Sequence, residues 1–245
     1  MQNKREVFEN CSIVGDVIKI PEEKLEPSLY REVKKAMEKA GGVWKGGKTF
    51  GFVFEKDPKV ILERLKQGEE INIKQEFQFF ETPPQLAEEM VSLADISPFD
   101  TILEPSAGRG AIIKELNLVT PIYPRCYELM EENRDYLRKS TLRFDLIGED
   151  FMNHPEHIKY DRIIANPPFS KNQDIIHLRK MYECLGHKGK LVCVTSQHWL
   201  YGREKVCQDF RSWLEMVACT KIPLEKGTFK ESGTNVESML IIIDK

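Results

Sequence analysis

The sequence predicts an α/β fold. It consists of a mostly parallel sheet flanked by helices and closed by an antiparallel hairpin, with a small α+β unit in front. Three observations predict it. From about residue 77, short apolar runs alternate with amphipathic stretches, as in successive strand–helix units. Residues 1–76 show no such alternation. Beyond Leu214, two apolar runs follow one another with only a polar, glycine-containing connection between them. The domain division is therefore placed at 1–76 and 77–245.

Within the first unit, Val7, Ile13, Val14, Val17, Ile18 and Ile20 alternate as strands do over residues 7–20. Glu26-Pro27-Ser28 opens a helix on which Leu29, Val33, Ala36, Met37 and Ala40 keep helical spacing, and Gly41-Gly42 stops it. Val43-Trp44 and residues 49–54 read as two short strands around a turn at 45–48. Pro58 starts a short helix carrying Val60, Ile61, Leu62 and Leu65, which ends near Gly68. Trp44 and Phe50 are read as core ahead of a base-stacking platform. Lys34, Lys35, Lys45 and Lys48 are read as solvated ahead of phosphate contacts.

The second unit begins with a helix over 84–93. Strands are predicted at 101–104, 122–128, 144–148, 161–165 and 190–196, and helices at 111–116, 131–139, 172–185 and 203–214. Residues 217–223 and 236–244 form the closing hairpin, connected through 227–235. No internal repeat or low-complexity tract interrupts the pattern.

Composition narrows the function classes. Hydrophobic residues make up 41% and charged residues 31%, ordinary for a globular chain. No apolar run approaches the roughly 18 residues that span a bilayer, and the first residues lead into no signal-type core, so a cytoplasmic location is expected. The six cysteines lack C-x-x-C spacing; reduced, mostly buried thiols and no metal site are expected. A net charge of −3 provides no global basic field, so nucleic acid would be gripped locally.

The chemistry-bearing stretch is Asn166-Pro167-Pro168-Phe169, directly after the strand at 161–165. Two prolines end that strand, because neither can donate to a sheet ladder. They also hold the carbonyls of Asn166 and Pro167 in a fixed direction. A side-chain amide, a rigid carbonyl and an aromatic ring together suit a planar, NH2-bearing group. The bland alternative is a Pro-Pro turn with a core phenylalanine.

Upstream motifs describe a second ligand. Thr82, ahead of Pro83-Pro84, is a fair N-cap whose helix start suits a carboxylate. Glu104-Pro105-Ser106-Ala107-Gly108-Arg109-Gly110 follows a strand and opens a helix, with glycines that permit close approach. It matches neither the full dinucleotide fingerprint nor a P-loop. Glu104 would repel phosphate and attract an ammonium group. Glu128 ends the next strand about 20 residues on, where a carboxylate takes a ribose diol. Asp150 can accept from an exocyclic amine, and the Phe151 ring can cover a purine. Singly, each acid reads as a cap or a solvated charge. At three successive strand ends they describe a nucleoside joined to an amino acid, the chemistry of S-adenosylmethionine.

Residues from about 79 to 245 resemble the class I S-adenosylmethionine-dependent methyltransferases that act on exocyclic amines of nucleobases. The order of Phe79-Phe80-Glu81-Thr82-Pro83, the 104–110 loop and Asn166-Pro167-Pro168-Phe169 resembles the gamma group of adenine-N6 DNA methyltransferases, above all the core of type I modification subunits. The resemblance implies a Rossmann-like class I sheet, DNA as substrate and S-adenosylmethionine as cofactor. It implies that Thr82 and Glu104, Pro105, Ser106, Ala107, Gly108 and Gly110 hold the methionine end, Glu128 the ribose, and Asp150 with Phe151 the adenine. Asn166, Pro167, Pro168 and Phe169 are the implied catalytic set, with Phe169, Phe229 and Lys171 on the substrate side. Phe229 reads equally as packing under the hairpin. Such enzymes usually carry a target-recognition domain after the core. Here specificity is expected from residues 1–76, from a separate subunit or a homo-oligomer, or hardly at all. The same tetrapeptide occurs in methyltransferases of ribosomal RNA guanine N2, and a close variant in enzymes that methylate release-factor glutamine. An RNA base is therefore the alternative substrate, and an idle DNA-binding or partner subunit the alternative of another class.

Overall fold

The computed structural model describes residues 3–21, 23, 25–54, 57–71, 80–230 and 236–245. The chain divides into two compact units, Met1–Gln78 and Phe79–Lys245. The domain boundary placed between 76 and 77 lies outside the described residues, as do Phe79 and residues 231–235 of the hairpin connection.

In the first unit, helix α1 (Lys4–Glu9) precedes strands β1 (Ser12–Val14) and β2 (Val17–Lys19). Helix α2 (Pro27–Lys39), strands β3 (Val43–Lys45) and β4 (Gly51–Val53), and helix α3 (Lys59–Lys66) follow. The strands form an antiparallel sheet in the order β1-β2-β4-β3. Val7, Phe8, Ile18, Val33, Met37, Phe52 and Leu62 share its core. Val7 thus belongs to a helix and not to the expected strand. The cause is a capping box: Asn3 Oδ1 accepts from Glu6 N at 3.0 Å, and the Glu6 carboxylate accepts from Asn3 N at 3.1 Å. Phe50 also departs from the core reading. It lies in a left-handed turn at φ 35°, is 52% exposed, and meets the half-buried Trp44 edge-on.

The second unit runs α4 (Pro84–Leu93), β5 (Ile102–Glu104), α5 (Ala111–Val119), β6 (Arg125–Tyr127), α6 (Glu131–Lys139), β7 (Asp145–Gly148), β8 (Tyr160–Ala165), α7 (Gln173–Cys184) and β9 (Leu185–Ser196). It ends with α8 (His198–Tyr201), α9 (Lys205–Met216), β10 (Cys219–Pro223) and β11 (Ser238–Asp244). Seven strands lie in the order β10-β11-β9-β8-β5-β6-β7. Strands β5 to β9 pair in parallel. Strand β11 enters between β9 and β10 and is antiparallel to both, so β10 takes the edge. The short helix α8 is an element that the apolar pattern does not reveal.

Strict alternation sorts this sheet's side chains even within continuous apolar runs. Leu103, Ile163, Ala165, Leu191, Cys193, Ile241 and Ile243 face one core with Ile175, Leu178, Trp199 and Phe210. Ile102, Ile164, Val192, Val194, Leu240 and Ile242 face the other with Leu86, Met90, Ile112 and Leu116. Each such buried aliphatic contributes about 1.5–3 kcal/mol relative to exposure. Strand order and register are thereby fixed, because a one-residue slip would exchange the two faces. Among the described residues, no helix is long and apolar enough to cross a membrane.

Gly110 is the tightest backbone position ahead of α5. Its φ is 84°, and an added Cβ would lie 2.7 Å from Leu142 Cδ1 and 3.0 Å from Leu137 Cδ2. Gly110→Ala is therefore expected to destabilise the chain by about 1–3 kcal/mol. The measurement is the urea midpoint at constant m-value; an unshifted midpoint would show that the left-handed turn costs nothing there.

Candidate functional site

Strands β5 and β8 are neighbours where the strand order reverses, with β6 and β7 continuing on one side and β9 on the other. The crevice outside the carboxyl ends of such strands is where open α/β sheets take ligands. Leu103 pairs with Ile163, Glu104 with Cys126, and Tyr127 with Gly148. That register brings Glu104, Glu128, Asp150 and Asn166 to one edge, at or just past the ends of four adjacent strands.

Asn166 is anchored from the segment ahead of α4. Its Nδ2 donates to the Phe80 carbonyl and to Thr82 Oγ1, each at 3.1 Å. A carbonyl only accepts, so the NH2 group must face Phe80, and this fixes which way the amide points. Its Oδ1 is buried and has no hydrogen-bond partner among the described residues. Thr82 differs from the expectation of a cap. Pro83 stands at the N-cap with no side-chain bond, and Thr82 supports Asn166 instead. The reason is that the chain turns back toward β8 before α4 begins.

Pro167 is buried and Pro168 half-buried. Phe169 is 8% exposed, with ring centroids 6.2 Å from Phe80 and 6.0 Å from Phe229, the latter edge-on. The structure therefore brings Phe229 to Phe169, but buries its ring in the same core. Lys171 is exposed. It and Asn172 have φ of 51° and 62°, so two successive non-glycine residues hold left-handed backbone as the chain reverses into α7. Asp174, in the first turn of α7, fastens that helix to the end of β9. Its Oδ2 accepts from both N and Oγ of Ser196 at 2.8 Å.

The loop at 105–110 is held by the neighbouring strand. Ala107 N donates to the Tyr127 carbonyl at 2.9 Å, and Gly108 N to Glu128 Oε2 at 2.6 Å. Glu128 Oε1 accepts from Met130 N at 2.7 Å and from Asn133 Nδ2 at 3.3 Å. Pro105 and Ala107 are buried and Ser106 half-buried. Burial raises the Glu128 pKa, and the bonds from Met130, Gly108 and Asn133 oppose that rise. Glu104 lacks such support: it is 1% exposed, and its Oε2 has no partner among the described residues. Burial, and after it the nearby Glu128, push its carboxyl well above the usual carboxylate range.

Asp150 Oδ1 accepts from Met152 N at 2.9 Å and caps a single 3-10 turn. Phe151 departs from the expectation of an open purine cover. Its ring is 2% exposed and lies among Tyr127, His154 and His177 at 5.8–5.9 Å. The turn capped by Asp150 rotates that side chain inward. Two contributors went unread in the sequence. The Phe80 carbonyl sat within a noted segment, but a backbone acceptor has no residue-type signal. Asn133 reaches Glu128 only because α6 folds back over the end of β6.

A family profile described as the methyltransferase small domain matches residues 125–221. No curated protein sequence matches the chain. Among solved structures, the chain is similar to the M protein of the type I restriction enzyme EcoKI at 15% identity and TM-score 0.56, over 91% of this chain and 55% of that one. A modification subunit assigned to a type I restriction enzyme of Vibrio vulnificus gives 15% identity and TM-score 0.54, over 92% and 55%. A Listeria monocytogenes protein assigned to the class I S-adenosylmethionine-dependent methyltransferases gives 12% identity and TM-score 0.52, over 76% and 66%. The fold is that of the class I methyltransferases. The chain spans about half the length of the two modification subunits. The matched domain and the fold support S-adenosylmethionine as the cofactor of a methyltransferase.

The raised Glu104 pKa carries a consequence for stability. A carboxyl whose folded value exceeds its ordinary 4.5 favours the fold at low pH, where it is protonated in both states. That contribution is lost as pH rises from the unfolded value through the folded one. Glu104→Gln should therefore flatten the decline in stability of the ligand-free chain with rising pH. Calorimetric Tm across that range is the check; the same slope in both proteins would exonerate Glu104.

Proposed function

We propose that the chain transfers a methyl group from S-adenosylmethionine to the exocyclic N6 amine of adenine in DNA. The observation that carries this reading is Asn166 Oδ1, a buried acceptor without a partner among the described residues, on an amide whose other end is tied down. Leaving such a group unmade in the folded chain costs about 1–3 kcal/mol. A substrate amine that donates to it recovers that cost.

When bound, S-adenosylmethionine supplies an electrophilic sulfonium methyl. The rest is work for this chain's own side chains. Glu104 Oε2, buried and without a partner among the described residues, fits the ammonium of an amino-acid end. The loop at 105–110 allows the backbone to approach, with Gly108 and Gly110 in left-handed conformations. Thr82 accepts from Asn166 and keeps a hydroxyl hydrogen for the carboxylate. Glu128 retains one lone pair, on Oε2, for a ribose hydroxyl, and Asp150 one oxygen for an adenine amine. Phe151 enters this reading as the wall behind Asp150.

On the substrate side, Asn166 Oδ1 and the Pro167 carbonyl accept the two N–H bonds of the target amine. They turn its conjugated lone pair toward the methyl, and the surplus proton leaves after transfer. Much of the rate gain is positioning. The base must leave its stack, which costs a few kcal/mol, and Phe169 offers the compensating aromatic surface. Phe229 supports Phe169 edge-on, and the exposed Lys171 stands by for a phosphate. Sequence selectivity comes from residues 1–76 or from a separate subunit.

Asn166→Ala is expected to retain cofactor affinity and lose at least about a hundredfold in single-turnover transfer. Asn166→Asp keeps an acceptor but sets its second oxygen against the Phe80 carbonyl, so it should recover only part of the loss. Phe169→Ala should weaken capture of the base by about 1–3 kcal/mol. Tritiated methyl transfer to DNA, RNA and protein in parallel decides the substrate. A wild-type rate in Asn166→Ala sinks the assignment, and label found only in RNA moves the substrate to an RNA base.

A further inference from the structure

Beside the catalytic loop, three potential ligands of different chemistry converge on the turn between α8 and α9. His198 Nε2 and Glu204 Oε1 are 3.0 Å apart. With Cys207 Sγ they form a group of ligand atoms that all lie within 4.8 Å of one another. Among the described residues, this is the group of three or more His, Cys, Asp and Glu side chains close enough to hold a metal ion. We propose that His198, Glu204 and Cys207 form a binding site for a zinc-class divalent cation. This inference does not rest on the methyl-transfer reading.

The geometry is preorganised by the local fold. Glu204 is the N-cap of α9, and Cys207 stands three residues on, so the two side chains face each other. Cys207 N donates to the Glu204 carbonyl at 3.0 Å. Arg211 Nη1 ties α9 to α8 by donating to the carbonyls of Trp199 and Gly202. Trp199 is anchored in turn, its Nε1 donating to Thr195 Oγ1 at 3.1 Å. Gly202 lines the cluster without a side chain. A Cβ there would lie 2.7 Å from both Cys207 Sγ and Glu204 Oε2.

The donor set is an imidazole, a carboxylate and a thiol. That combination suits zinc, whose sites mix N, O and S ligands at about 2.0–2.3 Å. A tetrahedral ion with such bonds keeps its donors about 3.3–3.7 Å apart. Here His198 Nε2 and Glu204 Oε1 stand at 3.0 Å and all three atoms lie within 4.8 Å, and the exposed His198 and Glu204 side chains can adjust to meet that spacing. Burial, and after it Glu204, raise the Cys207 pKa in the metal-free chain. Cation binding would draw off the thiol proton and replace it with the metal–sulfur bond, releasing one proton per ion. Three protein ligands leave a fourth position, as in sites that retain a water.

The site also touches the catalytic loop. Cys207 Sγ donates to Asn172 Oδ1 at 3.4 Å, and Asn172 is three residues beyond Phe169 in the strained reversal into α7. A cation drawing on Cys207 would act on that reversal from the α9 side. The expected spacing of cysteines gave no hint of this, because the ligands come from three residue types, at 198, 204 and 207.

The test uses cobalt(II) as a spectroscopic stand-in for zinc, titrated into the full reduced chain. The wild type is expected to take up one equivalent with a thiolate-to-cobalt charge-transfer band, and added zinc should displace it. The band should vanish in Cys207→Ser and persist in Cys219→Ser. Because Cys207 is fully buried, two further variants guard against misfolding. His198→Gln and Gly202→Ala should each weaken uptake by about tenfold or more, on the scale that loss of even an outer-shell group produces. Absence of a thiolate band in the wild type would overturn the proposal. So would a band unchanged in Cys207→Ser, or affinity unchanged in His198→Gln.

Discussion

The site depends on the way the Phe80–Thr82 segment grips the side-chain amide of Asn166. Strand β8 delivers Asn166 to the sheet edge, and the two prolines then force the chain out of the ladder. Neither effect orients the amide. Orientation comes from a segment more than eighty residues away in sequence, through bonds to a carbonyl and a hydroxyl at 3.1 Å. The same segment contributes Phe80, whose ring flanks Phe169. One stretch of chain therefore positions both the polar and the aromatic part of the tetrapeptide.

A second constraint runs through the carboxylates. Glu128 spends both oxygens on backbone amides, tying the 105–110 loop to the end of β6. Glu104, one strand away, is more deeply buried and has one oxygen with no partner among the described residues. The two acids differ because the loop offers its N–H groups to the far strand and not to its own. One carboxylate builds the loop, and the other leaves an oxygen without a partner among the described residues. Burying an unsatisfied acid is costly, and its persistence beside the switch point fits a ligand role better than a structural one.

Most of the α/β unit was legible in the sequence because its signals are local. Helices over 84–93 and 131–139 carry their apolar periodicity within a single element, and the structure places them there. The parallel sheet followed from alternation, and the hairpin from two apolar runs without a helix. The insertion of β11 between β9 and β10 was not legible, since it depends on which neighbour buries both faces of Met239–Ile243. Helix α1 was missed although its Asn3–Glu6 capping box is a sequence pattern, because the apolar spacing around Val7 mimics a strand. At the candidate site, residues read at strand ends in the sequence, Glu104, Glu128, Asp150 and Asn166, do come together at one edge of the sheet. Side-chain direction did not follow from them: Phe151 turns inward and Thr82 turns to Asn166, each through a turn whose geometry is set by tertiary contacts.

These features share one physical theme, the placement of local costs on a rigid frame. Asn166 Oδ1 and Glu104 Oε2 are acceptors without partners among the described residues. Lys171 and Asn172 hold left-handed backbone at about 1–2 kcal/mol each. All four sit at the carboxyl edge of β5 and β8 or in the reversal just beyond it. They persist because the surrounding structure over-determines them: the two cores clamp the strands, Asp174 pins α7 to Ser196, and Cys207 holds Asn172. A frame of this kind is stable enough to carry groups in states they would not choose alone. Two of the four are side-chain oxygens, and the amide oxygen of Asn166, which can only accept, is relieved by a donor. Glu104 and Asn166 stand at the ends of adjacent strands, so the donors proposed for them, an ammonium and an amine, would meet at one edge of the sheet.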